Sequence, residues 1–188
     1  MTNTQSIRER KHVKASQRKQ LQELRRSLAG DRFWERHLQR GLSASRSNRP
    51  SVHLAVFVEP YLQLVLDGRK TVESRFSVVR CAPYGRVQED DIVVLKRSGG
   101  PVVGICQIGQ TWHYRLDPSS WQTIKREFTE AICVQDPEFW RSRERASYAT
   151  LMRIHRVRSV EPLAWPKRDR RGWVVVRSGP DRTLFEVL

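Results

Sequence analysis

The sequence predicts an α+β fold in which short strands form a small barrel or a curled sheet, with a few helices beside it. Six or seven short runs of β-branched or alternating apolar residues follow residue 51, and few helical segments separate them. This pattern favours a curled sheet over a doubly wound one. Residues 1–50 differ, because they hold 13 Lys and Arg against 4 acidic residues. We therefore expect a basic, partly helical or disordered arm and linker at 1–50, followed by one domain at 51–188.

The large positive charge of the chain restricts the partners that it can bind. Its 188 residues include 35 Lys and Arg and 20 Asp and Glu, a formal net charge of +15. Such a surface favours polyanions, either nucleic acid or an anionic membrane face. The membrane alternative is disfavoured because the sequence has no run of 18 apolar residues and its N-terminus lacks the apolar stretch of a signal peptide.

The cysteines indicate the redox environment. Cys81, Cys106 and Cys133 are odd in number and widely spaced, without a CxxC pair. This spacing disfavours a disulfide framework and a zinc site, and it is typical of a reducing, cytoplasmic environment. We expect neither a metal nor a cofactor.

The arm is predicted to form two short basic helices with narrow apolar faces. Ser16 caps the first helix and Gly30 ends it, and a second helix runs from Asp31 to Gly41. Residues 42–50 are rich in Ser and Arg and read as a linker. The apolar faces suit either docking on the domain or folding onto RNA. These faces consist of Leu21, Leu24 and Leu28 in the first helix, and of Phe33, Trp34 and Leu38 in the second.

The domain is predicted to contain six or seven short strands and a few helices. Pro60 begins the first of these helices, and Gly68 ends it where a left-handed residue is wanted. The segment SGGP at 98–101 joins two strands as a hairpin-like turn. Strands are predicted at 53–58, 71–76, 92–96, 102–108, 148–157, 173–176 and 183–187, and helices at 60–68, 121–128 and 137–145.

A dense charged segment follows the first helix of the domain. Alternation along a strand places Glu73 and Arg75 on one face and Lys70 on the other. A carboxylate framed by cations can accept a hydrogen bond from a base edge or hold a lysine in place, and an arginine offers a planar fork for phosphate or guanine. The alternative is a solvated, charged strand edge. The candidate nucleotide-binding residues of this segment are Arg69, Lys70, Thr71, Glu73 and Arg75.

The same segment, PYLQLVLDGRKTVESRF, resembles the signature of the ASCH domain family. That signature is a Pro-Tyr helix followed by Gly-x-Lys-Thr-x-Glu-x-Arg, and Gly68, Lys70, Thr71, Glu73 and Arg75 stand in its places. EDDIVVLKRSGGPVVGICQI resembles the family's Gly-Asp strand, loop and Val-Val-Gly strand, with Asp90 where glycine is usual. WPKRDRRGWVVV resembles a closing strand, so that the resemblance covers residues 53–177.

This resemblance implies a PUA-like β-barrel with flanking helices that binds RNA in a cleft between barrel and helices. The family also includes small hydrolases that deacylate N-acetylated cytidine, and a metal-dependent nuclease has been proposed among relatives. The hydrolases have a hydroxyl residue where this chain has Glu73. The carboxylates Glu127, Glu130 and Asp136 show no clustered ligand pattern. RNA binding is therefore the first hypothesis, and a hydrolase or ribonuclease that uses Lys70 and Glu73 is the alternative.

Further candidates lie outside the motif, each with a structural alternative. Trp112 can offer a stacking surface for a base or pack in the core. Ser98 can present its turn amide to a phosphate or belong to a plain hairpin. Arg141, Arg143 and Arg145 would face different ways on a helix and form no single stripe. The expected phosphate-contacting cations are Lys167, Arg168, Arg170 and Arg171 in a loop, and Lys11, Lys14, Arg18, Lys19, Arg25 and Arg26 in the arm.

The expected partner is RNA, with DNA as the alternative. In a third hypothesis the arm is a docking element for a ribosome or another ribonucleoprotein, and the barrel takes no part in binding. The sequence does not fix the oligomeric state.

Overall fold

A computed structural model describes residues 3–43, 49–167 and 170–179 of the chain, with side chains from residue 15 to 38 in the N-terminal helices. The predicted strand at 183–187 and the loop residue Arg168 lie outside the described residues. The side chains of Lys11 and Lys14 also lie outside them.

The described domain is built on one mixed sheet of six strands. The spatial order is β2-β5-β4-β3-β1-β6, in which β1 runs parallel to β3 and the other neighbouring pairs are antiparallel. The strands are β1 Val52–Phe57, β2 Val72–Ser77, β3 Ile92–Arg97, β4 Val102–Arg115, β5 Tyr148–Leu163 and β6 Trp173–Arg177. The predicted α+β fold with a barrel-like sheet is confirmed.

Two long central strands curl this sheet into a half-barrel. β4 has 14 residues and β5 has 16, so both extend beyond the predicted 102–108 and 148–157. Their pairing shifts register at three places, between Val102 and Gly104, between Ile105 and Gln107, and between Ile108 and Thr111. Because each irregularity adds local twist and bends the strand, one long pair of strands can serve both halves of a curled sheet.

Within the described residues, five helices accompany the sheet: α1 Asn3–Ser27, α2 Arg32–Ser43, α3 Tyr61–Leu66, α4 Pro118–Ile132 and α5 Glu138–Arg141. The capping box at Asp117 starts α4 earlier than predicted, because its carboxylate accepts a hydrogen bond from the Ser120 amide at 2.7 Å and the Ser120 hydroxyl accepts one from the Asp117 amide at 2.8 Å. α5 has one turn only, so the helix predicted over 137–145 is too long.

No described helix is long and apolar enough to cross a membrane.

The alternation of side chains along β1 and β3 creates two cores on opposite faces of the sheet. The first contains Val52, Leu54, Ile92 and Val94, and the second contains Ala55, Phe57, Val93 and Leu95. The second core also receives Leu62 and Val65 of α3. A third core lies under α4, where Ile124 and Phe128 pack with Leu151 of β5.

The two arm helices pack on the first core. Leu24, Leu28 and Trp34 are almost fully buried there. Asp31 caps α2, because its carboxylate accepts hydrogen bonds from the Phe33 amide at 3.1 Å and the Trp34 amide at 3.2 Å. Of the two arrangements that the apolar faces allowed, the structure shows docking on the domain.

A buried polar network joins the strands on either side of β1. The indole N–H of Trp173 donates to Nδ1 of His53 at 3.0 Å, so Nε2 carries the imidazole proton and donates it to Oδ2 of Asp91 at 3.0 Å. The same carboxylate accepts hydrogen bonds from the backbone amides of Ser51 and Gln88. Asp91, which opens the Gly-Asp-like motif, therefore holds β1, β3 and β6 together.

Candidate functional site

The charged motif is positioned by the sharp turn at the end of α3. Gly68 adopts φ +72°, a left-handed conformation that favours glycine. The amides of Arg69 and Lys70 then both donate to the Leu64 carbonyl at 2.9 Å. This turn directs the Lys70 side chain inward, under the sheet edge formed by β2.

Lys70 is a buried cation with three oxygen partners. Its Nζ donates to the carbonyls of Val72 at 2.7 Å and Ile132 at 3.2 Å, and it lies 3.3 Å from Oε2 of Glu73. Strand alternation predicted opposite faces for Lys70 and Glu73, and this is wrong because Lys70 precedes β2, which begins at Val72. Burial lowers the pKa of Lys70, and the Glu73 carboxylate opposes that shift.

Arg75 links the edge strand β2 to the far side of the half-barrel. Its Nε lies 2.7 Å from Oε1 of Glu73, while its Nη atoms donate to the Val56 carbonyl at 3.0 Å and the Gly172 carbonyl at 3.4 Å. The guanidinium also lies over the rings of Phe57 and Trp173. The planar fork predicted to read a phosphate or guanine is therefore engaged within the protein, where it draws β2 towards β1 and β6.

These residues form the floor of a cleft of about 260 Å³, called here the central cleft. Arg143 contributes to its wall, with its guanidinium 3.8 Å from the Phe139 ring centre and its Nη1 2.6 Å from the Phe139 carbonyl. Partial burial lowers the pKa of Arg143. The lining residues used below are Tyr61, Lys70, Glu73, Arg75, Phe76, Phe139 and Arg143.

A larger cleft, called here the basic cleft, adjoins the central cleft at Val56. Its volume is about 700 Å³. Burial and the nearby charge of Lys167 lower the pKa of Lys96 in its wall. Trp165 belongs both to this cleft and to the core under the arm helices, so the basic cleft lies between the central cleft and the arm. Its cations are Lys96, Lys167, Arg170 and Arg171.

Several predicted site residues lie away from the central cleft. Trp112 packs edge-on against Phe128 of α4, with ring centres 4.9 Å apart, so it supports the core under α4 rather than a stacking surface. The Ser98 amide donates to the Phe57 carbonyl of β1 at 2.8 Å and so faces a protein oxygen, while the hairpin turn after β3 is closed by the Arg97 amide, which donates to the Pro101 carbonyl at 2.9 Å. Arg69 and Thr71 are exposed beside the turn and do not line the cleft.

The arm cations with described side chains lie on the surface of α1. Arg18, Lys19 and Arg26 are exposed, whereas Arg25 is half-buried. The buried side of the helix is formed by Gln20, Leu24 and Leu28.

The sequence did not identify the walls of the central cleft. The predicted helices and strands include Tyr61, Phe76 and Phe139 as ordinary apolar positions, and the helix predicted over 137–145 includes Arg143. Arg143 follows Phe139 by four residues, the spacing that places two side chains on one face of a helix, and its guanidinium lies over the Phe139 ring although α5 ends at Arg141. This four-residue spacing is the sequence signal that could have indicated the contact.

The described residues contain no cluster of three His, Cys, Asp or Glu side chains suited to a metal ion. The chemistry of the central cleft is thus that of one carboxylate held between a buried lysine and an arginine, with aromatic walls.

Solved structures provide the class of this fold. The ASCH protein of Zymomonas mobilis is similar with a TM-score of 0.54 and 12% identity, over 74% of this chain and 94% of that chain. A tyrosine-to-phenylalanine variant of that protein gives a TM-score of 0.48 and 14% identity, over 60% and 74% of the two chains. No protein-family model matches the sequence, and no curated protein matches it significantly. The half-barrel with its flanking helices is an ASCH-type fold.

Proposed function

We propose that this protein binds RNA, with one nucleotide in the central cleft and neighbouring phosphates in the basic cleft. The supporting observation is that an aromatic-walled cleft with a fixed carboxylate opens beside a cleft that contains four cations. Aromatic faces stack on bases, carboxylates accept hydrogen bonds from base amino groups, and Lys and Arg neutralise phosphates. The ASCH-type fold and the net charge of +15 agree with a polyanionic ligand.

In this proposal the charged residues have different tasks. Glu73 offers carboxylate oxygens to a base edge, since Lys70 and Arg75 fix its orientation from two sides. Lys70 and Arg75 act as positioning residues, because their own donors face protein oxygens. Arg143 lines the wall and supplies the cation nearest to a bound nucleotide's phosphate.

The experiment compares two arginines on the same short segment. Arg143 lines the central cleft, whereas Arg145 is exposed and does not. We expect Arg143→Gln to weaken the binding of short single-stranded RNA about tenfold and Arg145→Gln to weaken it far less, because a specific charged contact stabilises a complex by about 1.5–3 kcal/mol. Fluorescence anisotropy at fixed salt measures both dissociation constants, with single-stranded DNA as competitor. Equal losses in the two variants would contradict placement of the nucleotide in this cleft.

A hydrolase acting on a modified nucleoside is the second candidate, and the lowered pKa of Lys70 is the observation that favours it. The three oxygen partners of Lys70 disfavour it as the base, because a neutral amine would turn its lone pair towards one of these oxygens. Glu73 would then be the base. Release of acetate from N-acetylated cytidine by the purified protein, lost in Glu73→Gln, would establish turnover.

A further inference from the structure

Three partly exposed aromatic rings extend the central cleft towards α4. Phe76 and Trp121 lie parallel, with ring centres 5.3 Å apart and an interplanar angle of 1°. Trp140 stands edge-on to both rings, with centres 6.2 Å away. We call this cluster of Phe76, Trp121 and Trp140 the aromatic platform.

The platform is continuous with the wall of the central cleft. Phe76 belongs to both, and Phe139 of the cleft wall meets Trp140 edge-on at 4.9 Å. Phe139 also contacts Tyr61 at 6.0 Å, and Tyr61 lies beside the Lys70 ammonium. A row of aromatic rings therefore leads from the buried lysine to the first turn of α4.

Trp121 lies at the outer end of this row. It occupies the first turn of α4, and the described contacts of its ring are with Phe76, Trp140 and Lys125. The side chain is only partly buried. Trp112, which also lies against α4, packs directly on the buried Phe128.

A cation stands beside the two indoles. Nζ of Lys125 lies 5.8 Å from the ring centre of Trp121 and 5.9 Å from that of Trp140, and the Lys125 residue is exposed. On the cleft side, Arg143 lies over Phe139. Aromatic faces flanked by cations attract a ligand that has both flat rings and negative charge.

We propose that the aromatic platform stacks a second, unpaired base next to the nucleotide in the central cleft, while Lys125 neutralises an adjoining phosphate. This inference rests on the proposed function and narrows it to single-stranded RNA. In a duplex each base is stacked on its neighbours, so its faces are not available to a protein ring. Since every base has an aromatic face, this platform binds without selecting one base.

The test uses the full chain and a fluorescently labelled oligouridylate, whose weakly stacked bases are free to bind. Trp121→Leu removes the ring, Trp121→Phe keeps an aromatic face, and Trp112→Leu is the control for loss of a tryptophan against α4. We expect about tenfold weaker binding for Trp121→Leu, a smaller loss for Trp121→Phe and no change for Trp112→Leu, because stacking contributes about 1–3 kcal/mol per base. Thermal melting verifies that each variant is folded.

A second pair of variants leaves the rings in place. Lys125→Gln should weaken binding several-fold and reduce the salt dependence, whereas Arg126→Gln, next in the helix and paired with Glu127 at 2.8 Å, should not. An RNA duplex of the same length should bind with equal affinity to the wild type and Trp121→Leu.

The outcomes separate the two proposals. If the wild type binds no single-stranded homopolymer of any base at low salt, the proposed function fails, and the platform with it. If the wild type binds oligouridylate and Trp121→Leu and Lys125→Gln bind equally well, only the platform is wrong. Equal losses for duplex and single strand would also contradict it, because they would indicate a purely structural role for Trp121.

Discussion

Glu73 is the shared partner of two cations, and its side chain is only 8% exposed. Burying a carboxylate between a lysine and an arginine costs little free energy only while both cations remain beside it. Solvent has little access to the Lys70 ammonium in place of the carboxylate, since the lysine side chain is only 2% exposed. Removing the charge of Glu73 therefore leaves a cation in a poorly solvated position.

We expect Glu73→Gln to lower the free energy of unfolding by about 3 kcal/mol at neutral pH, as for other broken buried pairs. The loss should shrink at alkaline pH. Without Glu73 the pKa of Lys70 falls further below its ordinary 10.5, so the folded variant releases this proton while the unfolded chain keeps it. The stability of the variant therefore rises relative to the wild type between that lowered pKa and 10.5.

Urea unfolding at neutral pH and near pH 10 measures this difference. The exposed Glu89→Gln provides the control with the same charge change. If the difference in unfolding free energy between Glu73→Gln and the wild type stays constant over this pH range, the pKa of Lys70 does not depend on the carboxylate.

The arm helices and the sheet share one core, and this changes how the arm can be tested. Leu24 and Trp34 share the first core with Leu54 and Val94 of the sheet, so the arm helices help to cover this apolar face. Removing residues 1–50 would thus expose this face as well as remove charge. Substitution of single residues separates the two effects.

We expect Leu24→Ala to lower the free energy of unfolding by about 3 kcal/mol in a single cooperative transition, because it creates a cavity in the shared core. Gln22→Ala, at an exposed position of the same helix, should leave stability almost unchanged. Urea unfolding followed by circular dichroism and by tryptophan fluorescence measures both variants. Separate transitions for helix and sheet, or no effect of Leu24→Ala, would indicate an arm that folds independently.

Two groups of described cations are candidates for phosphate contacts: Lys96, Lys167, Arg170 and Arg171 in the basic cleft, and Arg18, Lys19 and Arg26 on α1. Trp165 belongs both to the basic cleft and to the core under the arm, so an RNA that passed from the central cleft through the basic cleft would run towards α1. We propose that the loop cations contact every bound RNA and that the arm cations contact only longer ones. The loop cations come first in this arrangement because the basic cleft adjoins the central cleft, whereas the arm lies beyond the basic cleft.

Salt titrations of two triple variants test this arrangement. Replacing Lys167, Arg170 and Arg171 with Gln should reduce the slope of log affinity against log salt by about 2 for short and long single-stranded RNA, since each phosphate contact contributes about 0.7. Replacing Arg18, Lys19 and Arg26 with Gln should reduce the slope for long RNA only. An equal effect of the arm variant on short RNA would contradict the arrangement.

The sequence by itself determined the fold class, most of the strands, the apolar faces of the arm helices and the motif from Gly68 to Arg75. These features depend on local patterns, because alternation and helical spacing within a segment fix which side chains share a face. The docking of the arm was one of two alternatives that its apolar faces allowed.

Tertiary structure decided what the motif residues contact. Arg75 uses its donors on the carbonyls of Val56 and Gly172, which are remote in sequence and become neighbours only when the sheet curls. Tyr61 of α3 and Phe139 of α5 also come from segments remote in sequence, and they line the same cleft as Arg75. The bulges between β4 and β5 bend the sheet on which these segments pack, and no periodicity within one segment encodes such long-range approach.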